Sequence, residues 1–211
     1  MMKECPLVLC LTNTVAANFT ANCLLAIGAR PAMIEEPCEA AELAAVADAL
    51  LVNLGTVTEL QAKAMRVAVK VANDRGVPWV LDPVGVQLLS FRRELAREFI
   101  AQRPSVIRCN QAEADALGET GCVTLVTGEV DRVGELEVRG GVPMLQSVTA
   151  TGCAQGGLCA AFLGRGQAAR DAALSASKLM KRAGELAWER AKAPGSFKVA
   201  LVDALWELSH D

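Results

Sequence analysis

The run Thr149-Ala150-Thr151-Gly152-Cys153-Ala154 puts small residues just ahead of an apolar helical stretch. The first N–H groups of a helix lack intrahelical acceptors, so such a start attracts anions, including a phosphoryl group in transfer. Cys153 falls in the first turn, where the positive helix end lowers a thiol pKa and favours thiolate. The same residues also fit an ordinary Thr cap followed by a buried small residue. Asp82 and Glu113 each lie just past an apolar run that reads as a strand. Two carboxylates there suit Mg²⁺ held directly or through water against substrate phosphates. Equally, Asp82 fits a turn before Pro83, and Glu113 fits a first-turn helix acid. Arg108, at another strand end, suits either a phosphate clasp or a surface ion pair.

Other chemistries are poorly supplied. The chain has no Tyr and one His, His210, at the last position but one. A histidine base, relay or metal ligand in the core is therefore nearly excluded. The eight Cys have no C-x-x-C pair and no nearby His, so a zinc site is disfavoured and most read as small buried hydrophobes. Gly164-Arg165-Gly166-Gln167-Ala168-Ala169 resembles a dinucleotide fingerprint but follows a helix, so it reads as a helix-to-helix turn. No P-loop motif occurs. A net charge of −3 implies no basic face, which excludes nucleic acid as a partner class. No apolar run is long enough to span a membrane, and residues 1–5 do not read as a signal peptide, so a cytoplasmic protein is expected.

The elements that position these residues follow from periodicity. Strands are expected over residues 7–11, 32–34, 49–54, 77–81, 105–108 and 123–126, with a hairpin over 130–139 around Gly134. Helices are expected over 14–27, 39–50, 58–75, 91–102, 111–117, 151–163, 167–192 and 199–208. Thr58 with Gln61 forms a capping box, Gly76 stops that helix, and Pro194-Gly195 stops the long one. Alternating strands and helices argue an α/β fold with a mostly parallel sheet covered on both faces, in one domain of 211 residues. Ligands in such folds bind beyond the carboxyl ends of the strands, where Asn53-Leu54-Gly55-Thr56, Asp82-Pro83-Val84-Gly85, Arg108-Cys109-Asn110 and Thr127-Gly128-Glu129 fall.

These landmarks, with Thr12-Asn13, Asn18-Phe19-Thr20-Ala21-Asn22, Gly28-Ala29-Arg30-Pro31-Ala32-Met33 and Pro194-Gly195-Ser196-Phe197, occur in an order that resembles the hydroxyethylthiazole kinases over nearly the whole chain. The resemblance implies a three-layer αβα ribokinase-like fold. It also implies transfer of the γ-phosphoryl of ATP to the hydroxyl of 4-methyl-5-(2-hydroxyethyl)thiazole in thiamine salvage, with Mg²⁺, in a homotrimer whose active sites lie between subunits. By the resemblance, Met33 would line the thiazole pocket with Asn13 and Gly55 close by. Ala150, Gly152 and the backbone beside them would form the anion hole, and Cys153 would stand where related sugar kinases carry an aspartate base. Arg108, Asn110 and Thr127 would contact ATP, and Asp82 and Glu113 would serve the metal and phosphates. Two further readings stand beside this one: a member that binds thiazole or nucleotide in a regulatory role, and a kinase of another small heterocyclic alcohol.

The chain departs from the family pattern at several places. Ala150 replaces the Gly that usually opens the anion-hole motif, and a methyl group is costly there if the backbone needs φ > 0. Leu9 and Cys109 stand where His and Gly are usual. The loop after Gly85 continues with Val86-Gln87-Leu88-Leu89 instead of small residues. The chain is also expected to be shortened near residues 117–122, with a short helix carrying the crossover to the next strand.

Overall fold

The computed structural model describes residues 4–210 of the chain. Strands β1 (Leu7–Leu11), β3 (Ala49–Asn53), β4 (Trp79–Asp82), β5 (Val106–Asn110) and β6 (Val123–Thr127) run parallel. β2 (Arg30–Met33) adds in parallel at one edge, and the hairpin β7 (Asp131–Val133) and β8 (Leu136–Val138) adds antiparallel at the other. The order among the described residues is β2-β1-β3-β4-β5-β6-β7-β8.

The inner strands are apolar at nearly every position because both faces are covered. Val8, Cys10, Leu51, Val80, Val106 and Leu125 point to the first face. They meet α1 (Ala17–Ala26), α7 (Thr151–Gly164), α8 (Ala169–Arg190) and α9 (Pro194–His210). Leu9, Leu50, Val52, Leu81 and Ile107 point to the second. They meet α2 (Pro37–Ala44), α3 (Glu59–Arg75) and α4 (Ser90–Ala101). The three-layer αβα fold expected from the sequence is the one observed.

α3 is bounded as expected. Thr58 Oγ1 accepts from the Gln61 N–H at 3.2 Å, and Gly76 closes the helix at φ +68°. Elsewhere the elements shift. The Ala-rich stretch 39–50 stops being helical at Ala44, because Ala49 and Leu50 are needed as buried strand residues between β1 and β4. Pro194 does not stop a helix but opens α9, at a first position where its missing N–H costs nothing. Thr151 does not cap α7 with its side chain. Its Oγ1 donates to the Leu145 carbonyl at 2.8 Å and so ties α7 to the single turn α6 (Met144–Ser147), which periodicity missed. The crossover from β5 to β6 is carried by the seven-residue α5 (Gln111–Leu117), and the two strands still pair in parallel.

Candidate active site

Side chains alternate along a strand, so the parity that sends Leu51, Val80, Val106 and Leu125 to the first face also sends Asn53, Asp82, Arg108 and Thr127 there. All four sit at or near the carboxyl ends of adjacent strands, facing the start of α7. Asn53 and Asp82 are register partners, and Asn53 Nδ2 donates to Asp82 Oδ2 at 2.7 Å. Arg108 Nη2 donates to Thr127 Oγ1 at 2.7 Å, and its Nη1 lies 3.7 Å from Asp82 Oδ1. That last distance is an ion pair too long for a hydrogen bond, and it leaves Oδ1 buried without a hydrogen-bond partner.

Asn13 joins the row from the loop after β1. Its Nδ2 donates to Asn53 Oδ1 at 2.8 Å and lies 3.4 Å from Cys153 Sγ. Gly55 is glycine for space: a Cβ there would stand 2.6 Å from Asn13 Nδ2. Gly152 is similar, since a Cβ would stand 2.5 Å from Arg108 Nη2. The guanidinium therefore packs flat against the first turn of α7. Met33 ends β2, half-buried against the first-face core, in register with Cys10 of β1.

The α7 start is an open set of donors. The first helical bond runs from the Ala154 N–H to the Ala150 carbonyl at 2.8 Å, so the N–H groups of Thr151, Gly152 and Cys153 precede the ladder. Ala150 reaches this arrangement at φ +74°, a left-handed conformation that costs a residue with a Cβ roughly 1–2 kcal/mol. Ala150→Gly is therefore expected to stabilise the chain by about 1 kcal/mol, a rise in Tm of about 2–4 °C in thermal denaturation. An unchanged or lower Tm would show that the strain is relieved some other way.

Cys153 differs from the expected thiolate. Burial, with the Asp82 charge acting the same way, pushes its thiol up to about 11, so it is protonated at neutral pH. The helix start is visible in the sequence; the desolvation that outweighs it is not. Cys153→Ala is expected to lower kcat less than about tenfold, short of the 10²–10⁴ that a true general base contributes. The companion measurement is alkylation of Cys153, which should stay slow at pH 8 and speed up only toward pH 11. Cys109 points to the second face, is fully buried, and is pushed up to about 12 by burial; it is a packing residue.

The two carboxylates play different local parts. Glu113 forms a capping box with Asn110 and binds the Asp82 loop as well: Oε2 accepts from the Asn110 N–H and Oε1 from the Gly85 N–H, each at 2.9 Å. Burial pushes the Asp82 carboxyl up to about 6, against the pull of the Arg108 guanidinium. Among the described residues no group of three or more His, Cys, Asp or Glu could form a metal cage. The unpartnered Oδ1 of Asp82 and the spare lone pairs of Glu113 instead fit a cation held mainly by waters and phosphates.

Two adjoining cavities open beside the cluster. One of about 260 Å³ is lined by Arg108, Asn110, Thr127, Gly152, Gln155 and Lys181, among others. The other, about 580 Å³, is walled by residues 128–130 and 139–143 and shares Lys181. Gln155, Ser177 and Lys181 around Asp131 escaped the sequence reading. They lie in Ala-rich helices where the only signal is the i, i+4 spacing of Ser177 and Lys181.

Known proteins resemble this chain in sequence and in fold. The family model of the hydroxyethylthiazole kinases matches residues 1–121 and 114–211. The hydroxyethylthiazole kinase of Cronobacter sakazakii is 44% identical over 236 aligned positions, covering 97% of this chain and 89% of that one. The Escherichia coli enzyme of the same name is 40% identical over 240 positions, covering 99% and 92%. The solved hydroxyethylthiazole kinase of Pyrococcus horikoshii superposes with a TM-score of 0.92 at 36% identity, covering 96% and 88%. Staphylococcus aureus pyridoxal kinase, solved with AMP-PCP, shares the fold alone, with a TM-score of 0.68 at 14% identity and coverage of 87% and 89%. No helix among the described residues is long and apolar enough to cross a membrane. The chain belongs to the hydroxyethylthiazole kinase family.

Proposed function

We propose that the chain transfers the γ-phosphoryl group of ATP to the hydroxyl of 4-methyl-5-(2-hydroxyethyl)thiazole, a step of thiamine salvage in the cytoplasm. The observation that carries this reading is the open α7 start facing the Asp82–Arg108 pair. Phosphoryl transfer passes through a loose transition state with charge spread over three oxygens, so positioning and charge stabilisation matter more than a strong base. The N–H groups of residues 151–153 would receive the oxygens of the phosphoryl in flight. Arg108 and Thr127 would hold the ATP phosphates in the smaller cavity, with Asn110 at its rim. The nucleoside would extend into the larger one. Asp82 and Glu113 would hold Mg²⁺ through water; when bound, the ion supplies positive charge between the phosphates.

The alcohol would sit on the other side of α7, with Asn13 beside Cys153, Gly55 below, Ala150 at the helix start and Met33 against the ring. Asn13 already bonds Asn53 and Cys153, and so sets where a hydroxyl can lie. A homotrimer would bring a neighbouring subunit to this side, which suits the exposure of Val15 and Leu25 around α1. A shortening near residues 117–122 would account for two observations: an alignment of 236 positions to a chain of 211 leaves at least 25 positions without a counterpart, and the two stretches matched by the family model overlap at 114–121.

The test is a panel of small alcohols with ATP and Mg²⁺, following ADP release. Hydroxyethylthiazole should give the highest kcat/KM, well above pyridoxal. A better turnover of another heterocyclic alcohol would reassign the substrate, and ADP release with none of them would reject the kinase reading.

A further inference from the structure

We propose that Asp131 and Lys181 are positioning residues for the nucleotide: one buried ion pair holds both ends of the β7–β8 hairpin and so fixes the wall of the larger cavity. The proposal rests on reading the two cavities as the nucleotide site.

Both residues are almost fully buried, at 3% and 6% exposure. Asp131 Oδ1 accepts from the Gly128 N–H at 3.0 Å and pairs with Lys181 Nζ at 3.4 Å. Asp131 Oδ2 accepts from Ser177 Oγ at 2.7 Å and Gln155 Nε2 at 3.0 Å. Lys181 Nζ also donates to the carbonyls of Glu129 at 2.9 Å, Gly140 at 3.1 Å and Gly128 at 3.4 Å. Each carboxylate oxygen thus has two partners, and the ammonium has more acceptors than protons.

Such a pair is not explained by stability. Desolvating two charges commonly costs as much as their attraction returns, and apolar replacements often do as well. The partners show what the pair accomplishes instead. Gly128 and Glu129 precede β7, and Gly140 follows β8, so one ammonium gathers the two ends of the hairpin. The hairpin is two strands of three residues at the edge of the sheet, too little to hold its own geometry. The backbone it must hold is unusual as well, with Gly140 at φ +101° and Gly141 at φ +80°. Gly128, Glu129, Gly140 and Gly141 are all wall residues of the larger cavity.

Lys181 borders both cavities, yet it is not a phosphate ligand. Its charge is already met by Asp131 and its protons are engaged by three carbonyls. It therefore acts on the nucleoside through the wall and not on the phosphates directly.

The experiment compares the full-length protein with Lys181→Met, Asp131→Asn and the double variant. It uses steady-state kinetics and calorimetry with Mg²⁺-ATP and with Mg²⁺-tripolyphosphate. Lys181→Met should raise the KM for ATP about tenfold while the KM for the alcohol and the affinity for tripolyphosphate stay within about twofold. The double variant should be no worse than Lys181→Met, because the pair acts as a unit. If Lys181→Met fails to fold, Ser177→Ala removes one donor from Asp131 and should weaken ATP about threefold, again without affecting tripolyphosphate. Parallel loss of ATP and tripolyphosphate would make Lys181 a phosphate ligand and overturn the proposal. An unchanged KM for ATP would overturn it too. Failure of the unaltered protein to bind ATP would instead reject the reading of the cavities, and this proposal with it.

Discussion

Asp82→Asn should lower phosphoryl transfer by about 10²–10³-fold, the loss typical of removing one charge-stabilising group from a reaction centre, while the fold persists. The side chains are the same size, and the new amide oxygen can still accept from Asn53 Nδ2, as Asp82 Oδ2 does at 2.7 Å. What disappears is the charge beside Arg108 and Glu113. The sign of the stability change follows from the raised carboxyl, at about 6 against an ordinary 3.8. A carboxyl raised by burial stabilises the folded state while it stays protonated. That contribution is complete below pH 3.8, declines as pH rises toward about 6, and is gone above. Asp82→Asn never ionises, so it should unfold later than its parent at pH 8 and at about the same point at pH 4. Chemical denaturation at both pH values, paired with turnover, checks this. An active variant, or one less stable at pH 8, would contradict the role given to the charge.

Arg108→Met should cut kcat/KM for ATP by a similar 10²–10³-fold. Arg108 is the only cation within 4 Å of Asp82 among the described ion pairs, and it bonds Thr127 while lying against Gly152. Its loss would remove the phosphate clasp and also the strongest influence holding the Asp82 carboxyl down. Arg108→Lys is the sharper variant. It keeps the charge but loses the planar fork that reaches Thr127 and Asp82 together, so it should recover no more than about a tenth of the activity. Full activity in Arg108→Lys would reduce Arg108 to a diffuse positive charge.

Most of the row at the strand ends was legible in the sequence, and for a physical reason. Asn53, Asp82, Arg108 and Thr127 each sit at the end of an apolar run close to a Gly, Pro or Asn, so pattern alone puts them at the carboxyl ends of parallel strands. α5 was equally legible, because Asn110 and Glu113 form its capping box. The family resemblance supplied the thiazole side, which no local pattern marks. What escaped depends on tertiary burial. Cys153 reads as a thiolate from its place on a helix, and only the packed structure shows the desolvation that reverses this. Lys181 and Ser177 look like ordinary positions of an amphipathic helix until β7 and its turn are placed against them. The stretch 39–50 has helical spacing throughout, and the sheet claims its end.

Above all, the cluster at the α7 start should transfer phosphate to the thiazole alcohol. Incubating the full chain with Mg²⁺, hydroxyethylthiazole and ATP labelled at the γ-phosphate tests it directly. Labelled thiazole phosphate should accumulate in proportion to the protein and fall to near background with Asp82→Asn. Folded protein at high concentration that binds both ligands yet forms no labelled product would contradict the account and leave a binding protein in its place.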